Sequence, residues 1–184
     1  MANQGDLRED LLDAFRWIDG HADVWRFFYD ARLFARTTRA LADPFRTAGV
    51  TKVAGIESRG FILGAAVARE LAAGFVAIRK EGSLFPGEKV ERRTPADYRG
   101  RELTLRIQRD SIQPGDRVVL ADDWLETGWQ AQTARALVEQ CGGAFLGVTA
   151  IVDQLPRDRR AGIGQFHAVV NASELRPPGA AVLH

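Results

Sequence analysis

The chain has 184 residues and a formal net charge of +1, from 25 Lys and Arg against 24 Asp and Glu. That length suits one domain with a sizeable core, and residues 1–184 are expected to form it. The charge balance argues against sequence-independent binding to nucleic acid or to a membrane surface. Apolar runs such as Leu71 to Ile78 fall far short of the roughly twenty residues of a membrane span. The first residues lack the basic, apolar, small-residue order of a secretory leader. The single cysteine, Cys141, has no internal disulfide partner, so a reducing, cytoplasmic setting is expected. Its place before Gly142 and Gly143, at a predicted helix end, reads as packing rather than reactivity.

In chain order, Leu7, Leu11, Leu12, Phe15 and Ile18 recur at helical spacing and predict a helix from about 7 to 18. A second helix is predicted from about Ala31 to Ala48, with Leu33, Phe34, Leu41 and Phe45 inward and Gly49 as its stop. Lys52 to Ile56 reads as a short buried strand, Phe61 to Ala73 as a helix, and Phe75 to Ile78 as another strand. Residues from Arg79 to about Asp116 are irregular and rich in charge, Gly and Pro, apart from an alternating stretch at Leu103 to Ile107. A strand at Val118, a helix from Gln130 to Gln140, and strands at Phe145 to Val152 and Phe166 to Val170 complete the pattern. The expected fold class is α/β: an open, mostly parallel sheet with helices on both faces and a small irregular hood or lid region.

Ligands of such sheets bind beyond the C-terminal ends of the strands. Glu57-Ser58-Arg59-Gly60 and the stretch Asp122 to Gln130 are predicted to share that edge. In the latter, a β-branched run climbs into Asp122 and Asp123, a Thr127-Gly128 turn follows, and a helix begins. Paired carboxylates can accept hydrogen bonds from vicinal ribose hydroxyls or approach a metal ion. The turn's N–H groups and the helix dipole suit a phosphate. The arrangement is that of a phosphoribosyl-binding site.

Four segments carry a family resemblance: Lys52 to Phe61, Ile78-Arg79-Lys80, Asp97-Tyr98, and Val118 to Ala131. In order and spacing, the chain from about Asp23 to Gln154 resembles the type I phosphoribosyltransferases, most closely the adenine phosphoribosyltransferases. The resemblance implies a pentosyltransferase of purine salvage, moving a 5-phosphoribosyl group from PRPP to a heterocyclic base with magnesium required, and a homodimer. It implies that Glu57, Ser58, Arg59 and Gly60 form a pyrophosphate loop, with Arg59 and Lys80 neutralising the leaving group. Asp122 and Asp123 would hold the ribose and its metal. Glu126, Thr127, Gly128, Trp129 and Gln130 would wrap the 5-phosphate, after Trp124 and Leu125 beside the base. Asp97 and Tyr98 fall in the lid. Each assignment has an ordinary counterpart: surface cations for Arg59 and Lys80, and caps for Asp122 and Asp123.

The departures are local. Adenine phosphoribosyltransferases carry Ala at the place of Glu126, Gly at Trp129, Thr at Gln130, Glu at Asp97 and Lys at Ser83. Trp129 therefore either points away while its N–H serves the phosphate, or narrows the pocket. Hypoxanthine-guanine phosphoribosyltransferases carry an acid at the place of Glu126, which leaves two readings: a general base beside the reacting nitrogen, or an acid favoured by the helix dipole. Trp124 offers a stacking surface for a flat heterocycle, or packs in the core. Trp17 and Trp25 read as packing residues. His21, His167 and His184 lack zinc-ligand spacing, and only His21 lies where it could touch a base. Transfer to a purine or purine-like base is the leading expectation. A non-catalytic PRPP or nucleotide sensor, and transfer to a non-purine acceptor, are the rivals.

Overall fold

The computed structural model describes residues 4–82, 84–96 and 102–175. Helix α1 spans Gln4–Ala14, four residues short of its expected end at Ile18. The chain leaves it for a hairpin, β1 (Trp17–Ile18) and β2 (His21–Ala22), paired Trp17 to Ala22 and Ile18 to His21. The cause is the Asp19-Gly20 dipeptide. Both residues take positive φ, 50° and 77°, the geometry of a two-residue hairpin turn matched to strand twist. Ile18, expected to face the core, is consequently 46% exposed.

A short helix α2 (Arg26–Tyr29) leads into α3 (Ala31–Ala42), whose N-cap Asp30 accepts the Leu33 N–H at 2.7 Å. The long helix expected to reach Ala48 stops at Ala42, where Asp43–Phe45 tightens into a 3-10 turn around Pro44. Proline lacks the N–H that would continue the α ladder, so regular α-helix ends there while Asp43 itself keeps helical angles, φ −52° and ψ −42°. Next come β3 (Lys52–Ile56), α4 (Arg59–Glu70) and β4 (Gly74–Lys80).

The region expected to be largely irregular holds a second strand besides the alternating one. β5 (Lys89–Arg93) pairs antiparallel with β6 (Thr104–Gln108), and β6 pairs antiparallel with β4. Lys-Val-Glu-Arg-Arg carries one apolar residue, Val90, and only that side chain is buried. A single inward position leaves no periodicity to read. β7 (Arg117–Leu125), α5 (Trp129–Gln140), β8 (Ala144–Asp153) and β9 (Gln165–Asn171) follow.

The main sheet has seven strands in the order β5-β6-β4-β3-β7-β8-β9, and β4, β3, β7, β8 and β9 run parallel. Val118, Val119, Leu120 and Ala121 of β7 are fully buried because both faces of the strand are covered. On one face Leu11 of α1, Leu41 of α3 and Leu63 and Val67 of α4 pack against Val53 and Ala121. On the other, Ala134, Leu137 and Val138 of α5 pack against Val118, Leu120 and Val148. Parallel strands bring the ends of β3, β4, β7 and β8 to one edge, where the loops gather.

Candidate active site

That edge opens into a cavity of about 570 Å³. Its lining follows strand order. Lys80 ends β4, Glu57, Ser58 and Arg59 follow β3, Asp122 to Leu125 form the last part of β7 with Glu126 to Gly128 after it, and Gln154 follows β8. Trp17, Gly20, His21, Ala22 and Val24 of the hairpin and the segment after it complete the lining.

The acids do not follow the strand, as the sequence suggested; they lie within β7, which continues to Leu125. Asp122 aligns with Ala150 of β8. Alternation sends the two side chains to opposite sides of the pleat, and both residues line the cavity. Asp123, 5% exposed, accepts Arg59 Nε at 2.6 Å. This pair joins the start of α4 to the middle of the site. Part of Asp122 remains accessible from the cavity, but protein surrounds its carboxyl. Burial first, and then the negative charge of Asp123, push its pKa well above the ordinary carboxylate value, while Lys80 acts in the opposite sense. Gly60 makes room for it: a Cβ there would sit 3.1 Å from Asp122 Oδ1.

Glu57 is engaged by protein rather than left open to a ligand. Its carboxylate accepts Arg79 Nη2 at 3.2 Å and the Lys80 backbone N–H at 3.0 Å. It therefore ties the loop after β3 to the end of β4 and sets where the Lys80 side chain enters. Ser58 N-caps α4 without a side-chain capping bond, and the Glu57–Ser58 peptide is cis.

The loop Glu126-Thr127-Gly128 delivers the chain to α5 with Gly128 at the N-cap and φ of 77°. Gly128, Gln130 and Ala131 line the cavity. The N–H groups of a helix's first turn lack intrahelical partners, so they and the positive end of the dipole are available to an anion. The first bond of α5 runs from Gln132 N–H to Gly128 O at 3.0 Å. Trp129 does not narrow this space. Its ring is outside the lining, and the Arg159 guanidinium lies over it, 3.8 Å from the centroid. Of the two possibilities for Trp129, the ring points outward, and its backbone N–H donates to Thr127 Oγ1 at 3.4 Å.

Leu125 lines the cavity and is also buried in the core. Trp124 lines the cavity and touches Phe15, with ring centroids 6.3 Å apart, so packing and cavity wall are one and the same. Glu126 is exposed at the rim, with no ion-pair partner among the described residues. Asp97, Tyr98 and Ser83 lie outside the described residues. Several lining residues were not anticipated as site residues, Trp17 and Gln154 among them. The Asp19-Gly20 turn signals the hairpin carrying the first, and a position just beyond a parallel strand signals the second.

Among the described residues, no group of three or more acidic, His or Cys side chains comes together as a metal cage. Two carboxylates with hard oxygens suit magnesium, which keeps water and takes further oxygens from a phosphorylated substrate. The residues present fit that ion.

A strand with paired acids, a cationic loop beside it and a helix N-terminus beyond it define a phosphoribosyl-handling α/β protein, and the chain belongs to the phosphoribosyl transferase domain family, whose pattern matches residues 28–161. It is 43% identical over 131 residues to the adenine phosphoribosyltransferase of Dinoroseobacter shibae, covering 71% of this chain and 72% of that protein. Its fold superposes on the adenine phosphoribosyltransferase of Rhodothermus marinus with a TM-score of 0.79 and 32% identity, covering 91% of this chain and 99% of that one. The Giardia lamblia enzyme complexed with 9-deazaadenine gives a TM-score of 0.77 at 27% identity, covering 89% of this chain and 97% of that one.

Proposed function

We propose that this protein transfers the 5-phosphoribosyl group of PRPP to a ring nitrogen of a purine or purine-like base, with release of pyrophosphate. The observation that carries the reading is the order of groups along one sheet edge. Lys80 and Arg59 are on one side, Asp122 and Asp123 in the middle, the N-terminus of α5 beyond, and Trp124 with Gln154 toward β8. The adenine phosphoribosyltransferases among its relatives make adenine the first base to test.

In the reaction, the lone pair of the base nitrogen forms the bond to C1′ as the C1′–O bond to pyrophosphate breaks. Positive charge develops on the ribose and negative charge on the leaving group, so fixed electrostatic partners act where the charge appears. Asp122 and Asp123 hold the ribose hydroxyls and face the developing cation. Lys80 and Arg59 receive the pyrophosphate, Arg59 exchanging its Asp123 partner for the leaving group. The turn from Glu126 to Gln130 holds the 5-phosphate through backbone N–H groups. The base gives up its proton to Glu126, or to Asp97, which the family resemblance assigns to the site. Asp122 and Asp123 would also hold magnesium, which when bound adds positive charge against the phosphate oxygens. The enzyme works as a homodimer, as the family resemblance implies, and in the cytoplasm, in keeping with its single cysteine.

The test is pyrophosphate release from PRPP and magnesium against a base panel that starts with adenine. Glu126→Ala is expected to lower kcat about 10²–10⁴-fold, the range of a general base, while PRPP affinity stays within about threefold. PRPP binding without release of pyrophosphate by any base would instead make the protein a sensor on this fold.

A further inference from the structure

We propose that Gln154 reads the edge of the acceptor heterocycle, with Trp124 fixing the orientation of its carboxamide. The inference rests on the phosphoribosyl-transfer reading and adds to it the residue that selects the base. An indole N–H only donates. The Gln154 atom 2.7 Å from Trp124 Nε1 is therefore the amide oxygen, and chemistry assigns which end is which. The NH2 group is left as the outward end, a donor with two hydrogens and no capacity to accept.

Both ends of this arrangement are anchored. The Gln154 backbone N–H donates to Leu125 O at 2.9 Å, holding the residue where β8 ends beside β7. The Trp124 ring is set by Phe15, which in turn meets Trp17 edge-on at 5.4 Å. Trp124 and Gln154 both line the cavity.

Strand order then says what they face. The cationic groups on β4 and after β3 lie on one side of the β7 acids, and Gln154 lies on the other. A ribose seated on Asp122 and Asp123 with its leaving group toward Lys80 carries the incoming base toward Trp124. A flat ring stacked on the indole presents its rim to the Gln154 NH2. The selected class is a heterocycle with a ring nitrogen or carbonyl oxygen at that rim. A base offering only an exocyclic amine there meets donor with donor.

Gln154→Glu separates this role from a structural tie, because a carboxylate still accepts the Trp124 N–H but replaces the donor by an acceptor. Gln154 is exposed, so the substitution is tolerated by the fold. Steady-state kinetics with a panel of 6-amino, 6-oxo and ring-deaza purines should show kcat/KM for the preferred base falling at least about tenfold in Gln154→Glu, with the order of bases changed and the PRPP KM within about twofold. Gln154→Leu should flatten the order of bases instead of inverting it. An unchanged order of bases, or a loss expressed only in the PRPP KM, overturns the proposal while leaving phosphoribosyl transfer intact. Should the wild-type protein turn over no base, the transfer reading fails by itself. Calorimetry with AMP, IMP and GMP then decides for Gln154: a different order of affinities in Gln154→Glu supports it, and equal orders or no binding to wild type overturn it.

Discussion

Gly128→Ala tests whether the turn before α5 is held as tightly as its geometry requires. With φ at 77°, alanine must adopt the left-handed conformation, at about 1–2 kcal/mol. Its Cβ would also fall 2.6 Å from Leu155 Cδ1, a distance that packed side chains do not tolerate. Leu155 is buried, so relief comes through an off-rotamer shift or displacement of the turn, at about 1–3 kcal/mol. Reduced freedom of the unfolded chain returns about 0.4–1 kcal/mol. The net loss is about 2–3 kcal/mol, and for a chain of this size the midpoint of thermal unfolding should fall by roughly 5–10 °C. The same displacement moves the first N–H groups of α5, so PRPP should bind about tenfold more weakly by calorimetry. Adding Leu155→Ala removes the atom in the way but not the φ penalty. The double variant should therefore be less destabilised than the two single losses combined, by about 1 kcal/mol. If Gly128→Ala matched wild type in both midpoint and PRPP affinity, the turn would not be constrained as described.

Two further outcomes follow from the site's electrostatics and its packing. Asp122→Asn should raise thermal stability at pH 7–8 while abolishing detectable turnover. The folded-state pKa of Asp122 lies above its unfolded value of about 3.9, so wild-type stability is greatest below that value and is lost as pH rises through the raised one. The advantage of the variant should thus shrink on acidification, and His167, lowered by burial in both proteins, cancels in the comparison. A variant no more stable than wild type across pH 4–8 would refute the charge argument. For Trp129→Ala, the ring lies under Arg159 and outside the cavity, so PRPP KM should stay within about threefold. Stability should fall by about 1 kcal/mol from the lost cation–π contact and its packing. A PRPP KM altered tenfold or more would place the indole in the phosphate path.

Much of the central sheet was readable. β3, β7 and β8 are largely apolar runs that are mostly buried, and α4 and α5 have apolar stripes, so period and length separate strand from helix. Asp122, Asp123, Thr127 and Gly128 were legible because their chemistry is local to one strand-turn-helix unit. The misreadings share a cause. Ile18 continued a helical spacing but was redirected by Asp19-Gly20, and Ala42 ended a helix whose apolar pattern ran on to Phe45. In both, one turn or proline residue outweighed a periodic signal. β5 went unread because its partner β6 supplies the ladder, and pairing leaves no mark in a charged segment.

Sequence alone determined the α/β class, the family and the strand with paired acids that enters the candidate site, since these depend on residues close together along the chain. Only the tertiary structure decided that Glu57 is spent on Arg79 and Lys80, that Arg59 holds Asp123, that Trp129 turns out under Arg159, and that Gln154 meets Trp124. Arg59 and Asp123 stand 64 positions apart, and Trp124 and Gln154 stand 30 apart. Parallel strands carry such residues to one edge whatever their separation, and which partner each polar group finds there is a property of the assembled sheet.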